Sequence, residues 1–174
     1  MQAPVIAIAA IAALTIGVVP LYAEDKRELD SHEHGHVKME IAIEKNVMTI
    51  ALEAPGESIV GFEYAPKSDE EKAAVDAATK QLSDAGSVFT FPDAAGCTVK
   101  SSDVELHQHG DHNEFEASYT FNCSDMAALG SMETNLFALY PSIEEIDVDY
   151  VAPGGQGSAE LEADTPTVTF APAS

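Results

Sequence analysis

The sequence predicts an α+β fold, mostly antiparallel β-sheet with few packed helices and one disulfide. Three observations predict it. Apolar and polar residues alternate over 37–43, as a half-buried strand requires. One helical stretch, 69–84, opens on a capping box. The only two cysteines, Cys97 and Cys123, fall at the outer ends of two further predicted strands.

Residues 3–21 are nearly all apolar and uncharged, and Ala23 is followed by Glu24, Asp25, Lys26 and Arg27. This reads as a signal peptide over 1–23. A retained membrane anchor is the alternative, because the run approaches the roughly 20 residues that span a bilayer. No cysteine in or just after the leader offers a site for lipid attachment. Residues 24–36 are polar, carry His32, His34 and His36, and have little to bury, so they read as a histidine-containing N-terminal arm.

A compact domain is expected over 37–164, as one unit or two intimately packed halves, 37–92 and 96–164. Val37, Met39, Ile41 and Ile43 alternate with polar residues, Lys45-Asn46 turns the chain, and 47–52 returns as the second strand of a hairpin. Pro55-Gly56 ends that strand, and 59–64 reads as another short extended segment. Ser68 and Glu71 form the capping box, and Val75, Ala78 and Leu82 recur at helical spacing. Val88 to Phe91 is a short strand stopped by Pro92.

Strands near 97–106 and 114–123 pair around Gly110, which sets Cys97 opposite Cys123. Val104 and Leu106 then have the wrong parity for the face shared by Phe115, Tyr119 and Phe121. Either a β-bulge lies near Ser101-Ser102 or both faces are partly covered. An exported chain favours the bridge over free thiols, and the closed loop is worth about 3 kcal/mol in the chain-entropy account. Residues 124–128 suggest a helical turn, and 132–139 a strand or strand and turn. Further extended segments fall near 143–150 and 157–161, and 165–174 reads as a flexible tail.

The chain carries 8 Lys+Arg against 30 Asp+Glu, a formal charge of −22. Nucleic acid is a poor partner for it, since that affinity rests on Lys and Arg neutralising phosphates. The negative field attracts divalent cations, although a salty habitat would select the same composition.

All 6 histidines fall in two windows: His32, His34 and His36 in the arm, and His107, His109 and His112 about the hairpin turn. Four imidazoles, or three and a carboxylate, complete the tetrahedral shell of zinc at about 2.0 to 2.1 Å. The expectation is a zinc site drawing on both windows, with Gly35 letting the backbone bend toward the ion and Asp111 and Glu33 as outer acceptors or solvated acids. Glu63 reads as an ordinary hydrogen-bonding residue, or one that turns toward the metal or holds an arm imidazole. Exposed loop histidines without a ligand are the bland alternative.

"HEHGHVKMEIAI", "ALEAPGESIVGFEYAP", "AAGC", "EFEASYTFNC" and "GGQGSAEL" together resemble the bacterial zinc-regulated periplasmic zinc-binding family typified by ZrgA. The resemblance covers nearly all of the chain beyond the leader. It implies a periplasmic protein that captures zinc and assists its uptake, alongside a zinc ABC importer or another periplasmic zinc-binding protein, without stable membrane insertion after leader cleavage. Tyr64 stands where that family often carries histidine.

Competing classes are a periplasmic copper or nickel chaperone, since imidazole and carboxylate accept those ions too, a zinc hydrolase, and a structural or adhesion module. No HExxH or GxSxG motif supports the hydrolase, and "HEHGH" lacks the helix spacing that HExxH needs, so a non-enzymatic role is expected. The scattered methionines form no copper-carrier tract.

Overall fold

The computed structural model describes residues 35–170. The expected leader, the arm up to His34 and the end of the tail lie outside the described residues.

The chain folds as α+β around a six-stranded sheet. Strand β1 (His36–Glu44) turns at Lys45-Asn46, Lys45 taking a positive φ of 55°, into β2 (Val47–Pro55). The pairing is antiparallel, Ile41 facing Ile50. Strands β4 (Cys97–His109) and β5 (His112–Cys123) form a second, longer hairpin, and β7 (Glu145–Ala152) with β8 (Gly155–Leu161) a third. Spatial order is β4-β5-β2-β1-β7-β8, antiparallel except where β1 runs parallel to β7. The first hairpin thus supplies the centre of the sheet, and the two expected halves share it.

One face is the core. Val37, Met39, Ile41, Met48, Ile50, Leu52, Phe115, Tyr119, Ile146 and Val148 point inward and are fully or almost fully buried, while the residues between them on β1 and β2 are exposed. Period-two alternation imposes that division. Helix α2 (Asp69–Ser83) packs Ala78 and Leu82 into this core. Its N-terminus is the expected capping box, with Glu71 N donating to Ser68 Oγ and Glu71 Oε2 accepting from Ser68 N. Tyr119 donates its hydroxyl to Leu82 O at 3.1 Å, tying sheet to helix. Burial pushes the Tyr119 hydroxyl pKa well up and that of Tyr140 to about 12.

A three-stranded sheet, β3 (Phe89–Thr90), β6 (Ser131–Thr134) and β9 (Thr167–Thr169), also joins the core, Phe89 meeting Tyr119 edge-on at 5.0 Å. Strand β9 corrects the flexible-tail reading of 165–174: Val168 pairs with Met132, and Val168 and Phe170 are buried. Its β-branched residues gain a partner edge and an apolar cover that local sequence does not reveal.

Two other segments differ from expectation. Residues 59–64 form no strand; α1 (Gly56–Val60) takes up Ile59 and Val60 and ends on Gly61 in the left-handed region. Ser58 Oγ accepts from Gly35 N, and this tertiary contact outweighs the strand preference of Ile59-Val60. The stretch before Phe89 is a short helix, α3 (Ala85–Val88), and a further one, α4 (Leu136–Leu139), follows β6.

Cys97 and Cys123 are Cα partners and form the disulfide. A bulge follows within two residues, since Val99 faces Phe121 but Ser101 faces Thr120. The extra residue is Lys100. It resolves the parity conflict in favour of a bulge, because Leu106 now faces Phe115 on the core side.

Candidate metal centre

The Lys100 bulge also fixes where the hairpin histidines point. Beyond it, Glu105 pairs with Glu116, His107 with Glu114, and His109 with His112. Directly paired residues share a face. Three imidazoles and three carboxylates therefore occupy the open face of one hairpin end, while Leu106, Phe115 and Asn113 take the other. The strands run to Gly110-Asp111, so His107 and His109 sit on β4 itself and not in a wide tip loop.

Glu116 lies between the first two histidines. Its Oε1 is 3.4 Å from His109 Nε2 and its Oε2 is 3.8 Å from His107 Nε2, while Glu105 Oε2 is 3.1 Å from the same His107 atom. The two rings lie face to face at 6.3 Å. His109, Glu114 and Glu116 can each offer one ligand atom within a 4.8 Å span. On a tetrahedral zinc with bonds of about 2.0 to 2.1 Å, neighbouring ligand atoms lie about 3.3 Å apart. The His109–Glu116 separation matches that edge.

His112 is held from outside. Its Nδ1 is 2.6 Å from Glu63 Oε2. When Nδ1 carries the proton it donates to Glu63, leaving the Nε2 lone pair for an ion; a carboxylate behind the ring is the usual partner of a metal-binding histidine. Glu63 thus holds an imidazole of the hairpin, that of His112.

Glu63 is itself positioned. Its carbonyl accepts from Asn113 N, and the next carbonyl, of Tyr64, accepts from Asn113 Nδ2 at 2.7 Å. Tyr64 donates its hydroxyl to Glu71 Oε1 at 2.8 Å and stacks on Phe62. The side chain standing where the resemblance leads one to expect histidine is thus tied to the start of α2. That bond raises the pKa of the Tyr64 hydroxyl, while Glu71, which also accepts from the Ser68 and Lys67 amides, is lowered to about 2. Gly56 presses on the same assembly: a Cβ there would come 1.6 Å from Asn113 Oδ1, so no side chain fits without displacing Asn113.

His36 lies on the same open face but elsewhere. Strands β5 and β2 separate β1 from β4, a gap of three strand spacings, or about 14 Å. Its neighbours are Glu145, whose Oε1 is 3.5 Å from His36 Nδ1, and Asp147. Gly35 has a φ of +85°, which lets its carbonyl accept from the Glu144 and Glu145 amides. His32 and His34 lie outside the described residues. Asp111 is exposed at the turn, and among the described residues no hydrogen bond or ion pair ties it to a histidine.

Sequence reasoning missed Glu116, Glu145 and Asp147. Correct hairpin register with the bulge would have found Glu116; the parallel β1–β7 pairing that brings Glu145 to His36 leaves no local signal.

A β-scaffold that gathers imidazoles and carboxylates on one solvent-facing surface, with an outer carboxylate behind one ring, defines a metal-ion-binding protein. Residues 31–170 match the model of the ZrgA family of zinc uptake proteins, and the chain belongs to that family. No curated protein matches the sequence. The family is one of zinc-binding and transport proteins, not enzymes, and the chain accordingly has a zinc-binding, zinc-uptake role. No helix among the described residues is long and apolar enough to cross a membrane.

Proposed function

We propose that this protein captures zinc in the periplasm and passes it to a zinc ABC importer, with His107, His109 and His112 as the imidazole ligands and Glu114 or Glu116 completing the shell. The carrying observation is that register places these side chains on one hairpin face, with His109 Nε2 and Glu116 Oε1 3.4 Å apart, Glu114 within reach of both, and Glu63 behind His112. A leader over 1–23 directs export, and the arm over 24–36 brings His32 and His34 as further donors. Zinc is cargo in this reading. An exposed site whose imidazoles have carboxylate partners to return to when the ion leaves suits release as well as capture.

The charge of −22 draws divalent ions toward the surface and speeds their encounter. Imidazoles must be neutral to bind, so protons compete with zinc and affinity falls as the solution is acidified. Copper(II) and nickel fit the same donors, and selectivity in the cell then follows from metal availability and the importer.

Calorimetric titration of the metal-free protein with zinc, copper(II) and nickel tests the reading. Saturable zinc binding is expected, weakened at least 100-fold in His107→Ala/His109→Ala and less in His32→Ala/His34→Ala. Absence of saturable zinc binding, or full affinity in the hairpin pair, would overturn it. Transfer is checked separately by the growth of zinc-starved cells that lack this protein but keep the importer.

A further inference from the structure

We infer that His36, Glu145 and Asp147 form a second divalent-cation site, separate from the hairpin site and weaker than it. The parallel register pairs His36 with Glu145 and Lys38 with Asp147, so all four side chains rise from the open face of adjacent strands β1 and β7. His36, Glu145 and Asp147 each offer a ligand atom within a 4.8 Å span. The His36 Nδ1 to Glu145 Oε1 distance of 3.5 Å is close to the ligand-to-ligand edge of about 3.3 Å in a tetrahedral zinc shell.

The backbone beneath this triad is fixed before any ion arrives. Gly35 O accepts from the amides of Glu144 and Glu145 at 2.8 and 3.1 Å, and Gly35 N donates to Ser58 Oγ at 3.2 Å. The Glu144 side chain comes within 2.9 Å of the place a Gly35 Cβ would take, and the positive φ there already disfavours a side chain. Both ligand-bearing strands are interior to the sheet, and sites on such elements hold their geometry better than loop sites.

One imidazole and two carboxylates make a harder donor set than the hairpin's. It takes zinc but also accepts manganese, and the Lys38 ammonium on the strand position beside Asp147 lowers its affinity. The hairpin site lies about 14 Å away across β2 and β5. Two sites on one face let the protein hold a second ion while the first is bound. The inference rests on the proposed zinc function only in taking zinc as the physiological ion.

The metal-free full chain is titrated with zinc by calorimetry, alongside Glu145→Gln/Asp147→Asn and His107→Ala/His109→Ala. Amide broadening by substoichiometric manganese is followed in parallel by NMR. Two classes of zinc site are expected. The carboxylate pair should weaken the weaker class at least tenfold and leave the tighter one intact, and manganese should broaden residues 36 and 145–147 only when those carboxylates are present. The hairpin pair should do the reverse. A single zinc class in the unaltered protein, or an unchanged weaker class and unchanged broadening in Glu145→Gln/Asp147→Asn, would overturn the second site. Persistence of the tighter class in the hairpin pair would instead overturn the hairpin reading. The carboxylate-to-amide changes are near-isosteric, all four positions lie on the open face, and circular dichroism of each variant verifies the fold.

Discussion

The two ends of the β4–β5 hairpin do different work with the same pairing geometry. At one end, facing residues Cys97 and Cys123 are joined covalently; at the other, facing residues His109 and His112 stand open to solvent beside Glu114 and Glu116. A single extra residue, Lys100, separates the regimes. Before it the register brings the cysteines together, and after it the same strand turns Leu106 to the core and His107 and His109 outward. Stability is thus concentrated where the chain has no ligands, and ligands where the chain has little to lose. Removing a histidine should empty the site without unfolding the protein, and cutting the disulfide should do the opposite.

His107→Ala/His109→Ala breaks this division most severely: zinc affinity should fall at least 100-fold while the unfolding free energy changes by less than about 1 kcal/mol, because both side chains lie on the open face. Deleting Lys100, by contrast, removes the extra residue and leaves the pairs from Ser101–Thr120 to His109–His112 in place as a regular ladder, so the histidines should keep their face and zinc its affinity within about threefold; a denaturant melt with a zinc titration measures both. Loss of zinc binding on that deletion would mean that the distorted backbone at the bulge, and not the pairing beyond it, sets the site.

Cys97→Ser/Cys123→Ser should lower unfolding free energy by about 3 kcal/mol while zinc affinity measured in native buffer changes less than threefold. Equal losses in both would show that the two ends are coupled. Gly56→Ala should displace Asn113 and, through it, the Glu63 carboxylate behind His112. The expected result is a several-fold loss of zinc affinity with a smaller loss of stability.

Ser68→Ala removes one capping acceptor of α2 and should cost about 1 kcal/mol. The pH response of the same box has a definite sign. Glu71 falls from the ordinary 4.5 to about 2 in the folded protein, chiefly because the Ser68 and Lys67 amides donate to it. Its contribution is therefore complete above about pH 4.5 and is lost as pH falls toward 2. In Glu71→Gln, acid denaturation curves should be flatter across that window.

Much of this was legible in the sequence because the signals are local. The alternation from Val37 to Ile43, the Ser68–Glu71 box and the symmetric placement of Cys97 and Cys123 each specify an element by themselves. The bulge could be anticipated as one of two ways to reconcile Leu106 with Phe115, and packing selects it. What could not be read depends on distant partners. The Ile59–Val60 segment becomes helical where Gly35 bonds Ser58, Thr167–Thr169 becomes a strand because β6 offers an edge, and β7 lies parallel to β1 through a long connection. The histidine windows were visible as composition, but the carboxylates that accompany them, Glu116 on one side and Glu145 with Asp147 on the other, come from register. The same register separates His36 from the hairpin.

The most direct measurement is a long-range proton–nitrogen spectrum of the imidazoles as one equivalent of zinc is added to the metal-free protein. The Nε2 or Nδ1 resonances of at least two of His107, His109 and His112 should shift to metal-bound positions in slow exchange, with the His112 Nδ1 proton retained against Glu63. Zinc bound at one equivalent with all three hairpin imidazoles unmoved would contradict the assignment of the ion to that face.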